Sequence, residues 1–312
     1  MAVDLTCTIS GIRITPCLMN TPEAGGLGGA ELDALSRSGV GAVVTPPISL
    51  HPQPTPPAPY YHEFHGGSLR SPGLGTVSQN EAATLLGLAR QGGKPVMACV
   101  SAATAGDFPE TAGYVADHGA TLVLLDFSCR ATPDNRFIGY NIKLSEQMMT
   151  ETRSTVSVPL GVKVPILLDY LNVEAMARAA TKTGMDFVVA VAPAGTALAM
   201  DSSGQSVLRT PDGLGEMAGH VIKHMALANV RVFHQITGGR LPIIGSGGVS
   251  TGQDALDFLL AGASGVQVGT SLPHQGRSPF TEMEESLSGL LGGMGFCSAA
   301  AAVGQMRELS PR

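Results

Sequence analysis

IIGSGGVSTGQDALDFLLAGASGVQVGT, residues 243–270, reads as one complete βαβ unit. An apolar strand over Leu241–Gly245 runs into the pair Gly247–Gly248. A helix follows, with Ala255, Leu256, Leu259 and Leu260 on one face, and a second apolar strand ends in Gly269–Thr270. Backbone with little side-chain bulk follows each strand: Gly247, Gly248 and Val249 after the first, Gly269 and Thr270 after the second. Consecutive N–H groups there can converge on an anion, and nearby helix starts add positive dipole potential. A glycine pair after a strand also serves an ordinary turn. Two such ends in one unit favour a phosphate site, which (β/α)₈ barrels place after their seventh and eighth strands.

Working outward, eight strand candidates begin near Pro16, Gly41, Pro95, Thr121, Leu160, Phe187, Leu241 and Gly265. Helices are predicted between them over Glu31–Ser38, Asn80–Arg90, Phe108–His118, Val173–Thr183 and Gly219–Phe233. Apolar runs without strict alternation fit parallel strands covered on both faces. The expectation is an α/β fold, a (β/α)₈ barrel forming a single domain over residues 1–312. A doubly wound sheet suits the alternation but lacks its early G-x-G-x-x-G fingerprint. Val3–Ile14 turns around Gly11 as a hairpin. The stretch TPPISLHPQPTPPAPYY, residues 45–61, is too rich in proline for helix or central strand and predicts an extended surface excursion.

Composition narrows the function. At 312 residues the chain can bury a substantial core, and a net charge of −6 with no basic run argues against a nucleic-acid surface. No apolar run is long enough to span a bilayer. The amino terminus lacks a charged n-region and an apolar h-region, so no secretory signal is expected. Five cysteines without a CxxC favour neither a disulfide framework nor a zinc site, which suggests the cytoplasm or another reducing compartment. His220 and His224 lie at i, i+4 and read as a surface pair, so no metal is expected. Glu282, Glu284 and Glu285 open a last helix, Thr281–Leu291, whose face reads as solvated.

The segment 243–270 closely resembles the FMN phosphate-binding segment of the dihydroorotate dehydrogenases, class 1A, in which an IGxGGV turn, a G-x-x-A-x-x-x-x-x-A-G-A helix and a VQVGT strand recur with this spacing. The resemblance implies an FMN-binding barrel closed below by the hairpin, with Gly219, Gly247, Gly248, Val249, Gly269 and Thr270 at the cofactor, and a dimer. Strand five ends LGVKVP, and Lys163 falls on the family's lysine beside the flavin. An unpaired buried ammonium is costly, which independently suits anion binding there. After strand four, Ser128 and Cys129 match the family's N-L-S-C-P-N; Cys129 falls on the base that takes a proton from dihydroorotate, and Tyr140 is retained as well. A lone cysteine is otherwise a small buried apolar group.

The substrate positions depart from the pattern. Thr45 stands for the strand-two lysine, Arg70 for the asparagine of G-S-I-N-S-M-G-L, Asp126 and Ala131 for the two asparagines of the strand-four motif, and Ala192–Pro193 for the V-N-S that ends strand six; Thr21, Pro22 and Glu23 replace A-A-G. Each missing amide partner costs about 1–3 kcal/mol, against about 8 kcal/mol for micromolar binding. Arg70 either recognises another anion or pairs with Asp126 across an emptied pocket. The expectation that follows is a degenerate barrel, a pseudoenzyme that keeps the FMN cradle and serves a binding or structural role with protein partners. The alternative is an FMN-dependent oxidoreductase acting on dihydroorotate or on a changed substrate, with a small anionic ligand in the pocket.

Overall fold

The computed structural model describes residues 3–22, 28–71, 75–102, 104–129, 137–269, 272 and 279–309. The chain opens with an antiparallel hairpin, β1 (Cys7–Ile9) and β2 (Ile12–Ile14). Ser10 and Gly11 both take positive φ, 44° and 83°, the backbone that a tight two-residue hairpin turn requires. Ser10 Oγ donates to Asp186 Oδ1 at 2.9 Å, just before a barrel strand begins, so the hairpin lies against the barrel's amino-terminal end as expected.

Eight parallel strands build the barrel: β3 (Leu18–Asn20), β4 (Val43–Val44), β9 (Val96–Val100), β10 (Leu122–Asp126), β11 (Leu160–Val164), β12 (Phe187–Ala190), β15 (Ile243–Ser246) and β16 (Gly265–Val268). All eight coincide with the predicted strands. Every residue in them is buried, because helices cover the outside and side chains fill the inside. The ladder runs β4-β9-β10-β11-β12-β15-β16-β3, and a parallel bridge between Met19 and Ala42 closes the ring. Gly41 permits that closure: its N–H donates to Leu18 O at 2.8 Å, and a Cβ there would sit 1.7 Å from Pro16 O.

The covering helices are α1 (Gly29–Ser36), α2 (Gln79–Ala89), α3 (Phe108–Asp117), α4 (Ile142–Arg153), α5 (Tyr170–Lys182), α6 (Lys223–Thr237), α7 (Gly252–Ala261) and α8 (Pro279–Gly293), with a short α9 (Ala299–Ala302) after them. Their ends carry local signals. Ser78 and Glu81 form a capping box at α2, and Thr251 and Asp254 form one at α7. Glu282 and Glu285 are exposed on α8, as its reading as a solvated face predicts. The sequence reading passes from strand four to strand five without α4, whose first turns look polar; its Asn141 cap, accepting from Leu144 N–H at 3.2 Å, was the readable signal.

A second sheet lies outside the barrel pattern. β6 (Tyr61–Phe64), β7 (Gly67–Arg70), β13 (Ala194–Ala197) and β14 (Gly215–Ala218) pair antiparallel in the order β13-β14-β7-β6. Its strands follow barrel strands two and six, so it stands over the barrel's carboxyl-terminal end. The proline-rich stretch leads into it in extended form, with two-residue strands β5 (Ile48–Ser49) and β8 (Val77–Ser78) pairing beside β9.

Candidate functional site

The carboxyl ends of the strands open into a cavity of about 770 Å³, a volume typical of small-molecule sites. Its floor is made by Thr21 after β3, Lys163 on β11, Val191 after β12, Ser246 and Gln267 on β15 and β16, and the turns Gly247–Val249 and Gly269. Its outer wall is the antiparallel sheet and the proline-rich stretch.

The turn after β15 holds its shape through side chains behind it. Gly247 and Gly248 take φ of 118° and 77°. A Cβ on Gly248 would lie 2.8 Å from Lys223 Cβ and 2.9 Å from Gly219 O, so only glycine lets the turn sit this close to the start of α6. Beyond it, Asp254 gathers the N–H groups of Ser250 and Thr251 at 3.0 and 2.9 Å and both their hydroxyls. Lys223 Nζ clamps Asp254 and Asp257 at 2.5 and 2.7 Å. Burial works against the charge on each of the first two. Contact with Lys223 and the Ser250 and Thr251 donors prevails at Asp254 and holds its carboxyl below the usual range; the two carboxylates prevail at Lys223 and raise it.

Lys163 is 1% exposed on β11, in register with Asp126 on β10. Gln267 is equally buried, and neither its amide oxygen nor its amide nitrogen has a protein partner. Two unmet polar atoms on a cavity wall cost about 1–3 kcal/mol each unless a ligand supplies the missing groups. A glycine turn for an anion, a buried ammonium and an open donor–acceptor pair are together a fitting donor set for FMN.

Of the residues expected at a cofactor, Lys163, Gly219, Gly247, Gly248, Val249 and Gly269 all line this one cavity, while Thr270 lies outside the described residues. The substrate positions divide. Arg70 and Pro193 line the cavity. Thr45, Asp126 and Ala192 do not: Thr45 Oγ1 donates to Pro46 O and accepts from Cys99 N–H, and Ala192 N–H donates to Val164 O, so both serve the barrel's own backbone. Asp126 accepts from Ser128 N–H at 2.9 Å. Ala131 and Glu23 lie outside the described residues.

Arg70 does not seal the pocket through Asp126. Its guanidinium meets Glu216 on β14, with Nε and Nη2 at 3.3 and 3.1 Å from Oε2. Cys129 follows β10 but is not on the cavity wall; burial and then the Asp126 charge push its thiol up to about 12, so Sγ keeps its proton at neutral pH. Tyr140 is half exposed and donates to Ile166 O at 3.2 Å.

Three contributors escape a reading of the sequence. Gln267 was visible as a polar residue inside an apolar barrel strand, and Asp254 as the acid of a T-x-x-D cap. Glu216 carries no local signal, since its partner is 146 residues away. Among the described residues no group of three or more His, Cys, Asp or Glu could hold a metal, and no helix is long and apolar enough to cross a membrane.

The model of the family described as dihydroorotate dehydrogenase matches residues 4–291. The dihydroorotate dehydrogenase (fumarate) of Kluyveromyces lactis is 31% identical over 293 residues, 90% of either chain. The dihydroorotate dehydrogenase A (fumarate) of Lactococcus lactis subsp. lactis is 30% identical over 285 residues, 89% of this chain and 91% of the relative. In three dimensions, the Eimeria tenella DHODH crystallised with ferulenol superposes with a TM-score of 0.80 at 19% identity, over 96% of this chain and 88% of that one. That likeness establishes the fold.

Proposed function

The chain belongs to the dihydroorotate dehydrogenase family, and from that premise we propose that it is an FMN-dependent oxidoreductase whose substrate pocket has been rebuilt. The observation that carries this reading is the convergence of Gly247–Val249, Gly269, Lys163 and the open amide of Gln267 on one cavity. An idle barrel has no need to keep a buried lysine and an unsatisfied glutamine facing the same space. The relatives' names support an oxidoreductase over a barrel that has lost catalysis.

When bound, FMN supplies a hydride acceptor and donor. The backbone of Gly247–Val249 would bind its phosphate, Gln267 its polar ring edge, and Lys163 would offset negative charge gained on reduction. Val191, Ile222 and Val249 exclude water from the floor. Cys129 holds its proton on Sγ, so proton removal from a substrate requires either an altered Cys129 environment or another acceptor. A homodimer is part of the proposal on family grounds alone.

Titrating FMN into the protein while following flavin fluorescence tests the reading. Saturable quenching, weakened at least ~10-fold by Lys163→Ala, is expected, ~10-fold being the effect of about 1.4 kcal/mol. Anaerobic dihydroorotate should leave the bound flavin yellow; bleaching would mean that the original substrate is retained. An absence of FMN binding would return the chain to a degenerate, structural role.

A further inference from the structure

We propose that Glu216 sets the substrate class of the cavity: by engaging Arg70 it excludes carboxylates and leaves the space to a neutral, flat molecule with apolar faces. This rests on the oxidoreductase reading above and specifies the substrate of that same site.

The wall over the barrel explains why. Glu216, Arg70 and Tyr61 are direct neighbours across β14, β7 and β6, and residues opposite one another in a sheet share a face. Ala218, Ser68 and Glu63 form the next row on that face, two residues along each strand. Tyr61, Glu63, Ser68, Arg70 and Ala218 line the cavity, so this is the face it sees. The face therefore carries one guanidinium against two carboxylates.

The guanidinium is also committed. Arg70 and Glu216 side chains are only 11% and 6% exposed, and two Arg70 nitrogens converge on one Glu216 oxygen. A substrate carboxylate would have to displace the buried Glu216 carboxylate from Arg70, giving up that ion pair, and would stand near Glu63 as well. Charge removed from water without a partner of its own is strongly disfavoured. Lys163, the other cation among the described residues of the cavity wall, belongs to the cofactor floor.

The rest of the outer wall is mostly apolar. Pro46, Pro47, Pro59, Tyr60, Val77 and Pro193, four prolines among them, line it. Such surfaces suit a planar ring system with polar atoms on its edge, and Tyr61 and Ser68 are polar members of the same wall.

The test uses the FMN-loaded protein and a matched pair of probes, 2-naphthoate and its methyl ester, read by calorimetric titration and by thermal shift, with visible absorbance confirming retained FMN in each sample. The ester should bind at least ~10-fold more tightly than the acid, since the acid's charge left unpaired on burial adds to the ester's gain of one methyl contact. Glu216→Gln, which releases the Arg70 guanidinium, should move the preference at least ~10-fold towards the acid. Arg70→Met combined with Glu216→Leu should keep the ester preference. Tighter binding of the acid by the unsubstituted protein overturns the proposal, as does a ratio that Glu216→Gln leaves unmoved. The unsubstituted ratio decides the matter even where Glu216→Gln fails to fold. Neither probe binding to protein that retains FMN overturns this inference alone, whereas protein that takes up no FMN overturns the reading beneath it.

Discussion

The glycine turns at residues 246–249 and 269 and the antiparallel sheet opposite them enclose one cavity, yet they are held by different means. The turns are fixed by backbone geometry that admits no side chain, backed by the Lys223–Asp254–Asp257 cluster away from the ligand. The sheet is fixed by side chains, above all Arg70 on the cavity wall and Glu216 paired with it. A part whose task is to bind a constant anion can be built from main chain, which tolerates few changes. A part that selects among substrates is built from side chains, which can be exchanged while the strands beneath them persist.

The contrast can be broken most severely in the sheet. Arg70→Met alone removes the guanidinium paired with a buried carboxylate and should cost up to about 3–5 kcal/mol of stability, whereas adding Glu216→Leu should recover most of that loss. Chemical denaturation of the two variants checks it; equal losses would show that the pair gives no coupling. In the turns, Gly248→Val forces a branched side chain into positive φ and against the start of α6, and should cost about 1–3 kcal/mol while removing FMN binding. A variant that still binds FMN normally would show that the turn is not the cradle. Tyr61→Phe should be the mildest. It removes the 3.0 Å bond to Glu63 and the contact with the Ser68 hydroxyl from a partly exposed ring, an effect of about 0.5–1.5 kcal/mol on stability with flavin binding unchanged.

Acid and base should act on different parts of the molecule, the turns and the barrel's buried thiols. Asp254 is held below the ordinary carboxylate range, so its contribution is complete above its unfolded value of 3.8 and is lost as pH falls below that value. The cradle should therefore loosen in acid, seen as FMN release before global unfolding. At the other extreme, burial raises the thiols of Cys7 and Cys129 to about 12 from an unfolded value of 9.0 and raises Cys17 as well. Their folded forms hold protons that the unfolded chain gives up, so stability should decline as pH rises from 9.0 towards 12. Denaturation midpoints across that span test it, and a Cys129→Ala variant should decline less steeply.

The same division governs what the sequence reveals. The eight barrel strands were legible because each is a continuous apolar run, buried on both sides, and their order in the barrel follows their order in the chain. The glycine turns were legible because their backbone demands fall on consecutive residues, so Gly247, Gly248 and Gly269 could be read in place. The antiparallel sheet was not, because its strands are short, come from segments far apart in the chain, and mix polar and apolar residues. Arg70 stood out as a changed position, but Asp126 looked a better partner than Glu216 until the strands were paired. Thr45 and Ala192 were assigned to the pocket by position in a motif, whereas their hydrogen bonds serve the barrel's backbone.

The most direct test of the account is the visible absorbance spectrum of the purified protein after incubation with FMN and removal of the free cofactor. The account predicts about one bound flavin per chain, retained by the unsubstituted protein and by the Arg70→Met/Glu216→Leu variant, and lost in Gly248→Val. Protein that emerges colourless would contradict it, because the open amide of Gln267 and the buried Lys163 would then face a cavity that takes no flavin.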